Sequence, residues 1–309
     1  MPEVISKAVC TLRRKEPAMN KIPRTWWLMS ECWEILKQDK RLLMFPLISV
    51  ICCLLLLASF AIPLYATGVW HPDATGGWPL GAMDAWPPSP GQHPSAAQQV
   101  AYYGVLFVFY ICNYFIITFF NAAIIGCTAT RLRGGGRPTL TEAVRMAAAR
   151  LHVIFAWSLL SATFGMILRV IEERSNAAGE IVASLIGIAW TVMSFFVVPI
   201  LALENKGPIK AMQESTSLVK QTWGKQLTGN FSFGLIFLLL SIPAVVAVVL
   251  AFAMGGAVAG NIVLVAAAIY IIVLGVVQSA LQSIFQTILY VYAHGGEVPY
   301  GFNPSNAWS

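Results

Sequence analysis

The chain has 309 residues, of which 57% are hydrophobic and only 11% are charged, and its formal net charge is +6. Soluble domains carry about 25% charged residues, so this composition excludes an ordinary soluble protein and indicates a membrane protein. The basic residues border long apolar segments, which favours anionic lipid headgroups as partners and argues against a nucleic-acid partner.

Residues 1–25 precede the predicted membrane domain and show no apolar periodicity. One interpretation is that they form a disordered tail. The other is that the start at Met1 is assigned too early, because Met19 is a second plausible start site. The first apolar run begins near Leu43. It is too long and too far from the N-terminus to be the apolar part of a secretory signal peptide.

Six apolar segments follow, and each is long enough to cross a bilayer as a helix of about 20 residues. The predicted spans are residues 43–66, 101–126, 151–171, 181–203, 227–254 and 261–293. The sequence therefore predicts an all-α polytopic protein, with one membrane domain over residues 26–293 and a tail of residues 294–309.

All but two of the 20 Lys and Arg residues lie on the side of these spans that also holds both termini. The two exceptions are Arg169 and Arg174. Because Lys and Arg are concentrated in cytoplasmic loops, we expect both termini to be cytoplasmic.

Three polar segments on this basic side each lead into a span, at residues 26–41, 139–150 and 208–221. In the second and third segments, spacings of three and four place several residues on one helical face. Those residues are Leu140, Val144, Ala147 and Leu151, and then Ile209, Met212, Thr216 and Val219. One interpretation is three helical-hairpin units, each preceded by an amphipathic helix on the membrane surface. The other is that a linker beside a membrane is amphipathic without forming such a helix.

The predicted external loop, residues 67–100, is rich in proline and glycine and therefore unsuited to a helix. Tryptophans recur in this loop and also begin the first of the three polar segments, residues 26–41. They are Trp70, Trp78, Trp86, Trp26 and Trp27. Tryptophan prefers the membrane–water interface, so these residues are candidate interface anchors. Docking of a partner protein is the alternative.

Two spans carry polar stripes. In the sixth span the stripe consists of Gln278, Ser279, Gln282, Ser283, Gln286 and Thr287. In the second span it consists of Tyr103, Tyr110, Tyr114 and Asn121. Each stripe either lines a cavity or groove, or serves helix packing through hydrogen bonds between neighbouring spans.

No pattern in the sequence indicates catalysis, ion-coupled transport or metal binding. The spans contain no Asp, Glu or Lys deep in the membrane, which argues against proton- or ion-coupled transport. No nucleophile–base motif, P-loop or metal-ligand spacing is present, so we expect no enzymatic activity, no cofactor and no metal site. None of the six cysteines lies in the predicted external loops, so we expect no disulfide framework.

Parts of the sequence resemble an uncharacterised bacterial family of six-span integral membrane proteins. The residues that carry this resemblance are Pro199-Ile200-Leu201-Ala202-Leu203-Glu204, their continuation to Gly224, Ser30–Lys37 and Phe45–Leu47. More distantly, the chain is similar to the membrane domain of glycerophosphodiester phosphodiesterases. The resemblance implies a six-span fold in a bacterial inner membrane, and it supplies no catalytic residues.

We therefore expect a non-enzymatic integral membrane protein of the bacterial inner membrane, acting as a scaffold or accessory subunit. Its expected partners are membrane lipids, through anionic headgroups at the cytoplasmic face, and a membrane protein or a second copy of the chain. The alternative is a transporter or lipid-handling protein that uses the polar face of the sixth span.

Overall fold

A backbone in a bilayer must satisfy its hydrogen bonds internally, which a helix does within one segment. The computed structural model describes residues 32–66, 96–132, 138–174, 177–204 and 206–293, and every regular element in these ranges is helical. A helical stretch of residues 32–38 and the 3-10 turn Lys40–Leu43 come first. The longer helices are Met44–Ala66, Ala96–Leu132, Leu140–Ala148, Leu151–Arg174, Ala177–Met193, Val197–Glu204 and Pro208–Ala293.

Among the residues that the structure describes, six helical segments are long and apolar enough to cross a membrane. We number these spans 1 to 6; they are Lys40–Ile62, Tyr103–Leu132, Leu151–Glu172, Gly179–Glu204, Ile236–Ala253 and Gly260–Val291. The prediction of an all-α protein with six membrane helices is confirmed.

The helix of span 2 begins at Ala96, within the segment that was predicted to be a non-helical external loop. The prolines of that segment end at Pro94, and the four residues that follow Ser95 are Ala-Ala-Gln-Gln, all good helix formers. The last part of the predicted loop is therefore helical.

Span 4 is interrupted, which the apolar segment 181–203 did not predict. The helix Ala177–Met193 ends in a turn at residues 194–196, and a second helix begins at Val197. Pro199 lies just after the turn. Proline has no backbone N–H, and its ring clashes with the carbonyl four residues earlier, so it interrupts a continuous helix at this point.

Spans 5 and 6 form a hairpin, although the backbone is helical from Pro208 to Ala293. The Tyr270 hydroxyl donates a 3.0 Å hydrogen bond to the Leu240 carbonyl, thirty residues earlier. In a straight helix those residues would be about 45 Å apart. The chain therefore reverses direction between Ala253 and Gly260.

The packed core lies at one end of the bundle. Its buried residues include Leu36, Phe45, Ile124, Ile154, Ile200 and Ile284. They come from the N-terminal segment and from the ends of spans 1, 2, 3, 4 and 6 that carry the Lys and Arg residues. We call this end the basic end.

Away from the basic end, spans 5 and 6 expose apolar side chains on several faces. Five consecutive residues of span 6, from Ile269 to Val273, are exposed. Consecutive residues of a helix point in directions about 100° apart, so this part of the span is little covered by the rest of the chain. Apolar side chains in this arrangement are suited to contact with lipid tails.

Candidate functional site

Arg131 joins the end of span 2 to the N-terminal helical stretch at the basic end. Its guanidinium donates a 3.4 Å hydrogen bond to the Ile35 carbonyl and a second hydrogen bond to the side chain of Gln38. Beside this contact, Cys32 and Leu36 are buried in the core. The stretch 32–38 is therefore held by both polar and apolar contacts.

A polar network connects the ends of spans 4 and 6 to the start of the long helix. Lys206 forms ion pairs with Glu204 and, at 2.6 Å, with Glu214. The Tyr290 hydroxyl donates a hydrogen bond to Glu204. Hydrogen bonds to the two carboxylates raise the pKa of Lys206 above its usual value. The network fixes the segment that begins at Pro208 against the ends of spans 4 and 6.

The helix Leu140–Ala148 packs on the core through small side chains. Thr139 caps its first turn: the Glu142 backbone N–H donates to the Thr139 hydroxyl, and the Thr139 N–H donates to the Glu142 carboxylate at 2.8 Å. Ala143 and Ala147 are fully buried. A methyl group added at Gly126 would lie 3.4 Å from Met146 Cε, so the helix approaches span 2 closely.

Only part of the apolar faces proposed for the two surface helices, such as Ala147, is buried in the protein. Val144 is 38% exposed and Ile209 is 67% exposed, whereas the smaller residues Ala143 and Ala211 are buried in the protein. The amphipathic pattern follows the largest apolar side chains, but close helix packing favours the smallest ones. Whether Val144 and Ile209 contact a membrane stays a prediction.

A cavity of about 620 Å³ lies at the basic end, between three elements that are distant in the sequence. Span 2 contributes Ala122, Gly126 and Ala129, the helix Leu140–Ala148 contributes Ala147, and span 4 contributes Leu203. Ligand pockets in proteins have volumes of about 300–1,000 Å³. The cavity is therefore large enough for part of a small molecule or lipid.

Arg150 adds a positive charge to this mostly apolar lining. It is half-buried, and none of the described carboxylates forms an ion pair with it. The hydroxyl of Thr130, also in the lining, donates a 2.9 Å hydrogen bond to the Gly126 carbonyl. Arg150 is therefore a cationic lining residue whose charge no described carboxylate balances.

The stripe in span 6 divides into two parts. Ser283 and Thr287 are buried, and their hydroxyls donate to the carbonyls four residues earlier, at 3.0 and 2.7 Å. Gln278, Gln282 and Gln286 are half-buried, as is Ser279. The part of the chain that the structure describes contains no hydrogen bond from the three amides to a neighbouring span. Whether these amides serve packing or a pathway stays a prediction.

The stripe in span 2 lies among other aromatic residues and beside span 3. The rings of Tyr110 and Tyr114 are 6.5 Å apart. A methyl group added at Gly165 of span 3 would lie 3.5 Å from the Tyr114 hydroxyl. Asn121, nearer the basic end, is half-buried. These contacts show where the stripe lies. Whether it borders a groove or belongs to the core of the bundle stays a prediction.

The candidate interface anchors Trp26, Trp27, Trp70, Trp78 and Trp86 lie outside the described residues. The interpretation of these tryptophans as membrane or partner anchors stays a prediction.

Sequence reasoning missed the cavity. Its local signals are the small residues Ala122, Gly126 and Thr130 at intervals of four, and the run Met146-Ala147-Ala148-Ala149-Arg150. Each signal alone is typical of close helix packing. Only the folded arrangement shows that the two runs face one space beside an arginine.

Comparison with known proteins supports the assignment to an uncharacterised family. No curated protein matches the sequence. The model of a family of unknown function, DUF6159, matches residues 100–300, which include spans 2 to 6 and every residue that we name in the cavity. The chain belongs to this family of unknown function.

Proposed function

We propose that this protein is a non-enzymatic scaffold or accessory subunit of a bacterial inner membrane, held at its basic end by anionic lipids. The observation that carries the proposal is a set of exposed cations at that end. They are Lys40, Arg41, Arg145, Lys210 and Lys220, which form no ion pair with a described carboxylate, unlike Lys37 with Glu34. A cation near an anionic leaflet contributes about 1 kcal/mol to membrane binding. In this proposal the basic end faces the cytoplasm.

The distribution of packing supports a scaffold role. At the basic end, the polar network around Lys206 and the contacts of Arg131 fix separate segments to one core. At the other end, apolar side chains of span 6 such as Ile269 and Val273 are exposed. Such a surface suits lipid tails or the spans of a partner protein, which pack by van der Waals contact and not by the hydrophobic effect.

Purification of the full chain in a mild detergent tests this proposal, with lipids and proteins analysed in the same sample. We expect enrichment of anionic over zwitterionic phospholipid and a stoichiometric membrane-protein partner. A variant with these five cations changed to Gln should lose the lipid preference, whereas a matched variant with Arg41 and Arg145 changed to Lys should retain it. Equal retention of both lipid classes by the natural chain would contradict the lipid part of the proposal.

A second candidate is a lipid-handling or transport function that uses the glutamine stripe of span 6. The observation that favours it is that Gln278, Gln282 and Gln286 are half-buried, without hydrogen bonds to neighbouring spans among the described residues. Amides in an apolar environment need partners, and water or a ligand can supply them. A co-purified solute in place of a protein partner would favour this candidate.

A further inference from the structure

We propose that the cavity at the basic end binds one anionic phospholipid, with its phosphate on Arg150 and an acyl chain against the small residues of span 2. The inference rests on the proposed function, because it names the lipid class and the site within the anionic-lipid binding proposed above. It goes further in predicting one stoichiometric lipid in addition to diffuse attraction by surface cations.

The first argument is the chemistry of the cavity wall. Ala122, Gly126 and Ala129 lie on one stripe of span 2, and Ala147 faces them from the helix Leu140–Ala148. Leu203 of span 4 completes an apolar surface that carries few polar atoms. Such a wall offers few partners for the many hydroxyls of a sugar or a nucleoside, but it is suited to an alkyl chain.

The second argument is the uncompensated charge of Arg150. A half-buried guanidinium without a counter-ion is unfavourable, because burial removes part of its hydration without replacing it. No described acidic residue pairs with it. A phosphate oxyanion would supply the missing partner, and guanidinium groups bind phosphate through two parallel hydrogen bonds.

The third argument is the position of Arg150 in the backbone. Its carbonyl accepts a 3.0 Å hydrogen bond from the Ile154 N–H, so it lies at the N-terminal end of the 24-residue helix of span 3. The dipole of a helix favours negative charge at this end. The helix end alone would not define a site. Together with the guanidinium and the cavity, it specifies an anion at this point.

The ligand is therefore an amphiphile with an oxyanion close to an alkyl chain. The phosphate itself has two sources, a phospholipid of the bilayer or free inorganic phosphate. The apolar wall favours the phospholipid, because free phosphate would leave most of the cavity without suitable contacts. Phosphatidylglycerol and inorganic phosphate are therefore used as separate probes.

Native mass spectrometry of the full chain in detergent tests the proposal, with phosphatidylglycerol, phosphatidylcholine or inorganic phosphate added. We expect one tightly bound phosphatidylglycerol, with weaker binding of phosphatidylcholine and no retained inorganic phosphate. Arg150→Gln should weaken binding of that one lipid about tenfold or more, as expected for loss of a charge-assisted hydrogen bond. Arg150→Lys should restore part of the affinity, since it keeps the charge.

Lys37→Gln is the matched control, because Lys37 is an exposed cation outside the cavity lining and is not one of the five cations assigned above to lipid binding. It should leave the tight lipid unchanged. Ala129→Leu should also displace the lipid by filling the cavity. If Ala129→Leu does not give a folded protein, the comparison of Arg150→Gln with Lys37→Gln still decides the outcome.

The possible failures are distinguishable. If phosphatidylglycerol is preferred overall but Arg150→Gln and Lys37→Gln bind it equally, this inference is wrong and the proposed function stands. If phosphatidylglycerol and phosphatidylcholine bind equally to the natural chain, both are wrong. If inorganic phosphate is retained and prevents lipid binding, the cavity is an anion site and the assignment to a phospholipid is overturned.

Discussion

The Ser215 hydroxyl accepts a 3.0 Å hydrogen bond from the Phe196 backbone N–H, nineteen residues earlier. Phe196 lies in the turn that interrupts span 4, where a regular helical partner for this N–H is missing. Ser215 is itself fully buried. The helix that begins at Pro208 thus supplies the polar group that makes the interruption of span 4 compatible with a buried environment.

Replacing Ser215 by Ala should therefore destabilise the protein by about 1–3 kcal/mol, because the buried Phe196 N–H loses its acceptor. Thermal unfolding in detergent measures the effect. Gln213→Ala is the control, since Gln213 is exposed on the same helix, and it should change the unfolding temperature little. An unfolding temperature for Ser215→Ala equal to that of the natural chain would show that another group satisfies this N–H.

The network around Lys206 predicts a pH dependence at the alkaline end. The pKa of Lys206 is raised in the folded protein, chiefly by its hydrogen bond to Glu204 and then by that to Glu214. A raised pKa means that the folded state binds this proton more tightly. The contribution to stability is thus fully present below the unfolded pKa of 10.5 and is lost as pH rises through the higher folded pKa.

Lys206→Met tests this dependence through unfolding temperatures measured from about pH 8 to about pH 11.5. The natural chain should be more stable than the variant by a constant amount at the lower pH values, and the difference should shrink at the highest. Lys210→Met is the control, because Lys210 is an exposed lysine nearby. A difference that does not change with pH would mean that Lys206 contributes through packing alone.

Gly260 marks the reversal between spans 5 and 6. A Cβ atom placed there would lie well inside van der Waals contact of the Phe252 ring. We expect Gly260→Ala to destabilise the hairpin by about 1–3 kcal/mol, as overpacking does elsewhere. Phe252→Ala should relieve the clash, so the double variant should be more stable than the sum of the two single effects.

Gly275 provides the control for this experiment, because a Cβ atom there meets nothing within 4 Å. Gly275→Ala should be neutral or slightly stabilising, since Ala is the better helix former. Additive effects of Gly260→Ala and Phe252→Ala would show that the ring and the glycine do not limit how closely the two spans approach.

The six spans were predictable because hydropathy is a local property: about 20 consecutive apolar residues indicate a span whatever surrounds them. The cavity was not predictable in this way. Gly126, Ala147 and Leu203 belong to three elements, and only tertiary packing brings them together.

The interruption of span 4 was only partly predictable from the sequence. Pro199 is a visible signal, but proline also occurs in continuous, kinked membrane helices. The feature that allows an interruption here, and not merely a kink, is the Ser215 hydroxyl, which accepts a hydrogen bond from the Phe196 N–H. Ser215 belongs to a later segment of the chain. The side of each surface helix that contacts the protein was not predictable for a related reason, since the pattern of large residues identifies Val144 whereas the protein contact uses Ala143.

The orientation of the chain is a prediction from the distribution of Lys and Arg. Single cysteines at Ser89 and Ser305, in a background without the six native cysteines, test it with an impermeant thiol reagent. In intact cells, or in spheroplasts if an outer membrane is present, we expect labelling at position 89 and none at position 305 until the cells are lysed. The opposite pattern would reverse the orientation and place the basic end outside.

The glutamine stripe gives the last prediction. If Gln282 serves helix packing, Gln282→Leu should lower thermal stability or weaken assembly, with any other function retained. If it lines a pathway, the variant should fold normally but retain less co-purified ligand. We expect the packing outcome, because single polar contacts between membrane helices contribute about 0.6 kcal/mol on average and are common in bundles.

A cysteine at position 282 separates the two outcomes independently of stability. In the packing case the thiol should react slowly with a water-soluble reagent, and Leu should be tolerated with a small loss of stability. Rapid labelling of Gln282→Cys from the basic end, protected by a bound solute, would contradict the packing interpretation. It would mean that the half-buried amides border a wet path, and that this path supplies the hydrogen bonds that no described residue of a neighbouring span provides.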